Sequence, residues 1–307
     1  MVKGVRRAPT VSMLRRALVQ VQGDILWQEL LAPLTSLHVG GPADVLVIPA
    51  DVEDVVRVVR GARMGNIPLT VLGGTNVIIR DKGIRGIVMH LQRFITIHQE
   101  VNQLVYAQAG VRLPRLMQFA LSRKLSGMEW AAGIPGTVGG GVVMNAGTRL
   151  GEMQDVLQAV DLVTIRGIRK RVDASTISFT YRKTTLPRGI VVGAWVQLTS
   201  AAQGAIESVT KHYLQYRKAT QPLTLPNAGS VFKNPTGDSA GRLIEAAGLK
   251  GWRIGDAEVS TKHANFIVNQ GAATAEQVLT LVRKVREKVA RKFGVRLQLE
   301  WKVVGER

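Results

Sequence analysis

The chain has 307 residues, 46% of them hydrophobic, and this composition predicts a folded protein of about two domains rather than a disordered one. It contains no cysteine, which excludes disulfides, thiolate metal sites, iron–sulfur clusters and cysteine nucleophiles. The 41 basic residues exceed the 22 acidic ones and give a net charge of +19, which favours anionic partners such as phosphorylated small molecules, anionic lipid or nucleic acid.

Residues 1–20 form a basic N-terminal extension in our reading of the sequence. Arg15 and Arg16 interrupt the apolar stretch that a signal peptide would need. No apolar run of the chain approaches the ~18 residues required to cross a bilayer. The sequence therefore predicts a cytoplasmic protein that does not insert into a membrane.

Helices and strands are predicted in mixed order after the extension. Asp51 caps a predicted helix over 52–64, which Gly65 ends. Apolar runs and helical periodicity then predict strands at 68–72, 86–91, 94–99 and 104–110, a helix at 113–124, strands at 156–165 and 189–198, and a helix at 205–219. Because strands and helices do not alternate strictly, the α+β class is favoured over a doubly wound sheet.

The part of the chain from residue 204 onward has a different order of predicted elements. After the helix at 205–219, its pattern predicts a short helix at 239–249, a strand at 264–269, a long helix at 274–293 and a final strand at 295–304. We interpret residues 204–307 as a separate α/β domain.

Two glycine-bearing loops, 71–80 and 131–147, are candidate ligand sites. Consecutive glycines allow backbone N–H groups to turn toward an anion, although they also mark tight turns and close packing. Neither loop is a P-loop or a dinucleotide fingerprint, since the chain has no Gly-Lys pair and no strand, GxGxxG and helix in order. Each loop is followed by an asparagine, Asn76 or Asn145, and the two together favour a cofactor that carries a diphosphate.

The stretch NAGSVFKNP at 227–235 suits neither a helix nor a regular strand. It predicts a constrained turn that presents the hydroxyl of Ser230 and the amine of Lys233, with Val231 and Phe232 anchored in the core. A single serine after glycine is most often only a turn or cap residue. A structural and a chemical role for Ser230 therefore both remain open at this point.

Seven colinear motifs between about residue 20 and the end of the chain resemble the UDP-N-acetylenolpyruvoylglucosamine reductases, flavoenzymes that make UDP-N-acetylmuramate for peptidoglycan. The motifs are TSLHVGGPADVLVIP (35–49), LGGTNVIIRDKGIRGIVM (72–89), GIPGTVGGGVVMNAG (133–147), FTYRKT (179–184), QPLTLPNAGSVFKNP (221–235), SAGRLIEAAGLKGWRIGDAEVSTKHANFIVN (239–269) and LEWKVVGE (299–306). The few residues between FTYRKT and GIVVGAW indicate the shorter subtype, which lacks a tyrosine-lid insertion. The second glycine loop departs from the family, because it continues as GTRLGEM where an aromatic residue and paired glycines are more common.

The resemblance implies an FAD-binding fold of the vanillyl-alcohol oxidase (PCMH) type over residues 21–203, in subdomains of about 21–93 and 94–203, followed by a substrate-binding domain at 204–307. It implies reduction of UDP-N-acetyl-3-O-(1-carboxyvinyl)glucosamine with NADPH. The residues that it assigns to FAD are Gly73, Gly74, Thr75, Asn76, Ile134, Gly139, Gly140, Asn145, Gly147 and Arg182.

The resemblance also implies roles for three catalytic residues. Ser230 corresponds to a proton donor, Arg182 to a group that stabilises developing negative charge on oxygen, and Glu300 to a residue that assists the same step. The residues that it suggests for the UDP-sugar are Arg217, Lys233, Asn234 and His263.

Two other functions remain as alternatives to this reading. One is an oxidase or dehydrogenase that uses the same flavin fold on another substrate. The other is a nucleic-acid-binding module, which the charge permits but which the lack of aromatic residues among the basic segments makes unexpected. The remaining histidines show no metal-ligand spacing, so we expect no metal, and no obligate protein partner is predicted.

Overall fold

The computed structural model describes residues 8–307. Over these residues the chain forms seven α-helices: α1 (Val11–Ala17), α2 (Val52–Met64), α3 (Leu113–Ser122), α4 (Val138–Met144), α5 (Gln203–Thr220), α6 (Ala240–Ala246) and α7 (Ala275–Phe293). The strands, in chain order, are β1 (Asp24–Trp27), β2 (Ala43–Ile48), β3 (Leu69–Leu72), β4 (Val77–Ile79), β5 (Ile84–His90), β6 (Ile97–Gln99), β7 (Leu104–Gln108), β8 (Leu125–Ser126), β9 (Gly147–Thr148), β10 (Gly151–Glu152), β11 (Leu157–Thr164), β12 (Arg169–Asp173), β13 (Ser178–Thr180), β14 (Lys183–Thr185), β15 (Gly189–Gln197), β16 (Thr199–Ser200), β17 (Arg253–Ile254), β18 (Ala257–Val259), β19 (Ile267–Asn269) and β20 (Lys302–Val304).

The first layer is a four-stranded sheet in the order β1-β2-β5-β3. Strand β2 pairs parallel with β5, and all six of its residues are buried, as expected for an apolar strand covered on both faces. Helix α2 packs its valine face into the core beneath this sheet, and α1 packs against α2. Gly61 permits that approach, because a Cβ there would lie 1.9 Å from the Ala17 carbonyl oxygen. The helix α1 belongs to the predicted basic extension, of which residues 1–7 lie outside the described residues.

The second layer is a five-stranded antiparallel sheet in the order β12-β11-β15-β7-β6. Its inner face, together with α3 and α4, shares one continuous hydrophobic core with the first layer. A core common to both layers holds the two predicted glycine loops, which follow β3 and precede β9, against each other.

The C-terminal part of the chain has its own core, built around the antiparallel sheet β17-β18-β19 and helices α6 and α7. Helix α7 begins with a capping box between Thr274 and Gln277 and ends at Gly294, whose φ of 71° is left-handed. The carboxylate of Asp81, from the first layer, accepts hydrogen bonds from the N–H groups of Ala275 and Glu276. The first turn of α7 is thus satisfied by a residue almost 200 positions earlier in the chain.

The secondary structure confirms the predicted α+β class, and α2, α3, α5, α6 and α7 lie where the periodicity places them. Two local predictions are wrong. Residues 138–144, interpreted as part of a glycine loop, form α4, and the last strand is confined to Lys302–Val304 instead of running from 295. The longer strand is interrupted because residues 298–300 hydrogen-bond to residues 231–233, after which Lys302 pairs with β4.

Over residues 8–307, no helix has both the length and the apolar character that spanning a membrane requires.

Asp54 is a buried carboxylate that organises the first layer. It is fully buried and accepts hydrogen bonds from the N–H groups of Gln22, Gly23 and Ala50 and from Arg57. Burial raises the pKa of Asp54, but these hydrogen bonds outweigh it and hold the pKa below its ordinary value of 3.8. A lowered pKa stabilises the folded state above that value and loses this contribution as the pH falls through the folded pKa.

We predict that Asp54→Asn lowers the free energy of unfolding at pH 7 by about 2–3 kcal/mol, because an amide presents an N–H group to donors. Urea denaturation at pH 7 and at pH 3 measures this effect, and the variant should lose less stability on acidification than the wild type. Asp51→Asn is the matched control, since Asn caps a helix as well as Asp does. An equal loss of unfolding free energy in Asp54→Asn and Asp51→Asn would contradict the stabilising role of the Asp54 carboxylate.

Candidate active site

Two adjoining cavities lie between the sheets and the C-terminal domain. The first has a volume of about 570 Å³ and runs along β3 toward His90 and Arg112. The second, of about 400 Å³, extends toward α5 and the turn at Gly229 and Ser230. The residues that line both are Gly73, Thr75, Asn76, Thr137, Gly140 and Met144, so the cavities form one continuous groove.

The first glycine loop exposes its backbone to this groove. Within the described residues, the N–H groups of Gly73, Gly74, Thr75 and Asn76 donate no hydrogen bond. A Cβ on Gly73 would meet nothing within 4 Å, whereas one on Gly74 would lie 2.6 Å from the Leu34 carbonyl oxygen. Gly74 therefore allows the loop to pack closely against Leu34, and Gly73 leaves open space on the side of the groove. Uncommitted N–H groups beside open space are what an anionic cofactor needs.

The second glycine loop differs in its central part, where Gly139, Gly140 and Gly141 lie in α4. The N–H groups of these glycines are used within α4 and its surroundings: that of Gly139 donates to Ala109, and those of Gly140 and Gly141 to Thr137. Gly139 and Gly141 are packing positions, because a Cβ on either would lie 3.0 Å from a neighbouring side chain. Gly140 alone of the three lines both cavities.

Asn145 ends α4 in a left-handed conformation with φ of 44°. It is fully buried; its Oδ1 accepts from the N–H of Gln154, while its Nδ2 has no partner among the described residues. An unpaired buried donor between two residues of the cavity wall, Met144 and Ala146, is costly unless a ligand satisfies it. The open first loop and this orphaned donor both fit a bound flavin cofactor.

Arg182 is held at the tip of the β13–β14 hairpin with φ of 57°. A left-handed arginine costs on the order of 1 kcal/mol or more, a strain that tends to occur at functional sites. Its guanidinium donates to the Gly147 carbonyl at 2.8 Å and lies 3.3 Å from the carboxylate of Glu300. The hairpin thus aims a cation into the second cavity rather than into solvent.

Glu300 lies at the point where the C-terminal segment changes partners. Its N–H donates to the Val231 carbonyl, and its own carbonyl accepts from the side chain of Asn76 at 3.3 Å. Burial raises the pKa of the Glu300 carboxyl, while the positive charges of Arg182 and Lys233 lower it, and the net direction is upward. A carboxyl with a raised pKa is suited to accept and donate a proton during a reaction.

Ser230 projects from a turn that is rigidly supported. Gly229 has φ of 75°, and the N–H groups of Val231 and Phe232 both donate to Asn265. Val231 and Phe232 are buried, which confirms that they anchor the turn. Within the described residues, the Ser230 hydroxyl has no hydrogen-bond partner, and it lines the same cavity as Arg182 and Glu300.

Arg217 is a buried cation at the wall of the second cavity. It donates to the Ala132 carbonyl and to the side chain of Gln221, and no carboxylate pairs with it within residues 8–307. Burial lowers the pKa of its guanidinium. A buried positive charge without a negative partner is expected to bind an anionic ligand.

The structure brings together some of the predicted site residues and separates others. Those that line the groove are Gly73, Thr75, Asn76, Ile134, Gly139, Gly140, Gly147, Arg182, Arg217, Ser230 and Glu300. Gly74 and Asn145 lie behind its wall. Lys233, Asn234 and His263 do not line it either: Asn234 accepts from the N–H of Ala240, and His263 accepts from that of Asn265.

The residues of the second cavity that sequence reasoning missed include Arg149, Tyr213, Tyr216 and Gln221. The three-residue spacing of the tyrosines on the predicted helix at 205–219 was an available signal, since it places them on one face. Nothing in the sequence pattern pairs that face with Arg149. Over residues 8–307, no cluster of His, Asp or Glu has the arrangement of a metal site.

The architecture is that of a two-part flavoenzyme, in which an FAD-binding domain forms one wall of the site and a C-terminal domain supplies the opposite wall. Residues 43–173 match the family model of the FAD binding domain, and residues 221–304 match that of the UDP-N-acetylenolpyruvoylglucosamine reductase C-terminal domain. These matches and the relatives below show that the chain belongs to the UDP-N-acetylenolpyruvoylglucosamine reductase family and is an FAD-dependent oxidoreductase.

Similar proteins align over nearly the whole chain. UDP-N-acetylenolpyruvoylglucosamine reductase 2 of Symbiobacterium thermophilum is 46% identical over 293 residues, covering 94% of this chain and 95% of its own. The reductase of Desulforamulus reducens is also 46% identical, over 289 residues, covering 93% and 95%. The crystal structure of the reductase from Thermus caldophilus superposes with a TM-score of 0.79 at 39% identity, covering 92% of this chain and 98% of its own. The predicted family and fold are confirmed.

We predict that Gly140→Leu folds but loses flavin. A Cβ at this position would lie 3.5 Å from the Thr137 hydroxyl, an ordinary contact, and α4 would gain up to about 1 kcal/mol of helix propensity. The rest of the side chain would enter both cavities, and overpacking should weaken FAD binding on the order of tenfold. The flavin-to-protein absorbance ratio after dialysis, together with thermal unfolding, measures both effects. Gly204→Leu on exposed α5 is the control, and equal flavin content in the two variants would contradict the assignment.

We predict that Glu300→Gln raises thermal stability at pH 8 while impairing activity. A carboxyl with a raised folded pKa destabilises the fold increasingly as the pH rises from its ordinary value of 4.5 through the folded value, and Gln removes this effect. The difference in melting temperature from the wild type should shrink at pH 5, where Glu300 is more protonated. Glu287→Gln, a substitution of an exposed residue, should leave the melting temperature and the activity unchanged. A destabilised Glu300→Gln at pH 8 would overturn the expectation.

Proposed function

We propose that the protein reduces UDP-N-acetyl-3-O-(1-carboxyvinyl)glucosamine to UDP-N-acetylmuramate with NADPH, as a step of peptidoglycan precursor synthesis. The observation that carries this proposal is the convergence of Arg182, Ser230 and Glu300 on one cavity that adjoins both glycine loops. The relatives named above, which are reductases of this type by name, support the same substrate class.

FAD would be held by the open amides of 73–76, by the wall at Gly140 and Gly147, and by the buried side chain of Asn145. When bound, FAD supplies the exchange of a hydride with nicotinamide and with an activated double bond. FAD bound in this groove would bring this chemistry between the first layer and the turn at Ser230, and protonation and charge stabilisation would be left to the side chains of this chain.

Ser230 is the proposed proton donor. Reduction of the enolpyruvyl group requires a hydride at its terminal carbon and a proton at the carbon that bears the carboxylate. The Ser230 hydroxyl has no partner among the described residues, so it is available to donate to that carbon. Because it is neutral, it adds no charge that would repel the substrate carboxylate. The supports of the turn at Asn265 keep the hydroxyl in place during the transfer.

Arg182 and Glu300 act on the electron density that the hydride leaves on the substrate. Once the double bond is reduced at one end, negative charge accumulates on the carboxylate oxygens, and the guanidinium of Arg182 offers paired donors to them. Glu300, 3.3 Å from that guanidinium, orients it and adjusts the protonation of the site. The bond from Arg182 to the Gly147 carbonyl keeps the guanidinium in the cavity before substrate arrives.

The substrate anion has further cationic groups within reach. Arg217 lines the cavity as a buried charge and is the proposed ligand of the UDP moiety. Lys233 lies near enough to Glu300 to lower its pKa, so it adds positive potential from the edge of the cavity. Asn234 and His263 would support the site through the hydrogen bonds that hold α6 and the segment before β19.

The substrate and the reductant of this proposal are nucleotides of the cytoplasm, and we propose that the protein acts there. The excess of basic residues suits a protein that binds FAD, NADPH and a UDP-sugar, all of them anions. We propose no nucleic-acid partner and no obligate protein partner.

We predict that Ser230→Ala separates the two halves of the reaction. NADPH should bleach the flavin at the wild-type rate, whereas reoxidation by the enolpyruvyl substrate should slow by at least ~100-fold, the lower end of general-acid contributions. Stopped-flow absorbance at the flavin band measures each half-reaction separately. Ser239→Ala, which removes the N-cap of α6 outside the cavities, should change neither rate.

Equal slowing of both half-reactions would show that Ser230 is structural. A wild-type protein that binds FAD but oxidises NADPH no faster on addition of the UDP-sugar would contradict the proposed function itself. Oxygen consumption with alcohol substrates would then favour the alternative of an oxidase built on the same fold.

A further inference from the structure

Arg149 occupies the tip of the β9–β10 hairpin, in the part of the second glycine loop that departs from the family pattern. The base of this hairpin is fixed, because the carbonyl of Gly147 accepts a hydrogen bond from Arg182. The guanidinium of Arg149 lies over the ring of Tyr216, 4.1 Å from its centroid, and 5.9 Å from that of Tyr213. The β9–β10 hairpin thereby contacts α5, a helix that packs against α3, and all three side chains line the second cavity.

The charges around this contact are not balanced. No carboxylate pairs with Arg149 or with Arg217 within residues 8–307, although arginines elsewhere on the surface pair with Asp or Glu. The one acidic side chain that lines the second cavity, Glu300, is already paired with Arg182. The wall formed by α5 and the β9–β10 hairpin therefore has two positive charges available to an anion.

The guanidinium of Arg149 donates no hydrogen bond within the described residues, and its contact with Tyr216 is to the ring. A cation over an aromatic ring is attracted by the π-system, and this contact does not use the N–H groups of an arginine for hydrogen bonds. A phosphate is matched by this fork of donors, and the ring reduces the entropy that a long exposed side chain would lose on binding. Arg149 is exposed, so it is accessible at the mouth of the cavity.

We propose that Arg149, held over the ring of Tyr216, binds the diphosphate of the UDP-sugar at the mouth of the second cavity. The proposal rests on the proposed function and adds a specificity-determining residue to it. The carboxylate end of the substrate belongs beside Arg182 and Ser230, which leaves Arg149 and Arg217, the other cations that line this cavity, for the diphosphate.

Binding of UDP and of uridine to the oxidised FAD-loaded protein, measured by calorimetry, tests the assignment without turnover. Arg149→Gln should weaken UDP on the order of ten- to a hundredfold and leave uridine unchanged, because only the diphosphate loses a charge-assisted bond. The affinity of Arg149→Lys for UDP should lie between those of the wild type and Arg149→Gln. The affinity of Arg149→Gln for UDP should also depend less on salt. Its melting temperature should equal that of the wild type, since the side chain is exposed.

Arg123→Gln is the matched control. Arg123 is also exposed and stacked on a ring, that of Phe119, but it lies outside both cavities, so its loss should leave UDP affinity unchanged. Tyr216→Ala tests the stack. It should weaken UDP binding in the wild-type background and have little further effect in Arg149→Gln, whereas a direct contact between Tyr216 and the ligand would give equal losses in both.

Steady-state kinetics with the UDP-sugar complete the test. Arg149→Gln should raise its KM at least about tenfold and leave the KM for NADPH and the rate of flavin bleaching unchanged. Wild-type binding of UDP with equal binding by Arg149→Gln would overturn the Arg149 assignment alone, as would an effect confined to NADPH or an equal loss for uridine. A wild type that neither binds UDP nor responds to the UDP-sugar would overturn the proposed function as well.

Discussion

The site depends on one extended segment, residues 298–304, which joins the two walls of the groove. The carbonyl of Gln298 accepts from Lys233, and the N–H of Glu300 donates to Val231, so the segment first holds the turn that carries Ser230. The Glu300 carbonyl then accepts from the side chain of Asn76, and Lys302 donates to the Asn76 carbonyl before β20 pairs with β4. The candidate proton donor, the carboxylate and the cofactor loop are thus set relative to one another by a single run of backbone.

Several residues around this segment are held in locally unfavourable states. Arg182, Asn76 and Asn145 have left-handed φ angles, the Nδ2 of Asn145 has no partner among the described residues, and burial raises the pKa of Glu300. Such costs persist because the surrounding cores and hydrogen bonds determine the backbone more strongly than local preference does. Local and tertiary preferences agree in other elements, such as the capped and amphipathic α2 and α7.

The predicted elements were correct where local sequence preferences determine the structure and wrong where tertiary packing does. Helices α2 and α7 were predictable because their caps and apolar spacing are encoded within a few residues. Helix α4 was not, because three consecutive glycines disfavour a helix, and it forms through the packing of Gly139 against Ala109 and of Gly141 against Met153. The last strand was predicted too long, because its apolar alternation does not show that its partner changes at Glu300.

The sequence by itself predicted the α+β class from local periodicity, and the resemblance carried by its motifs predicted the family, the cofactor and the three residues Arg182, Ser230 and Glu300. Only the tertiary structure decided which residues face the groove. Gly140 lines both cavities, whereas Asn145, Lys233, Asn234 and His263 do not line the groove. The guanidinium of Arg149 lies over the ring of Tyr216. Contacts between residues far apart in sequence depend on how separate elements pack, and spacing along the chain does not record that.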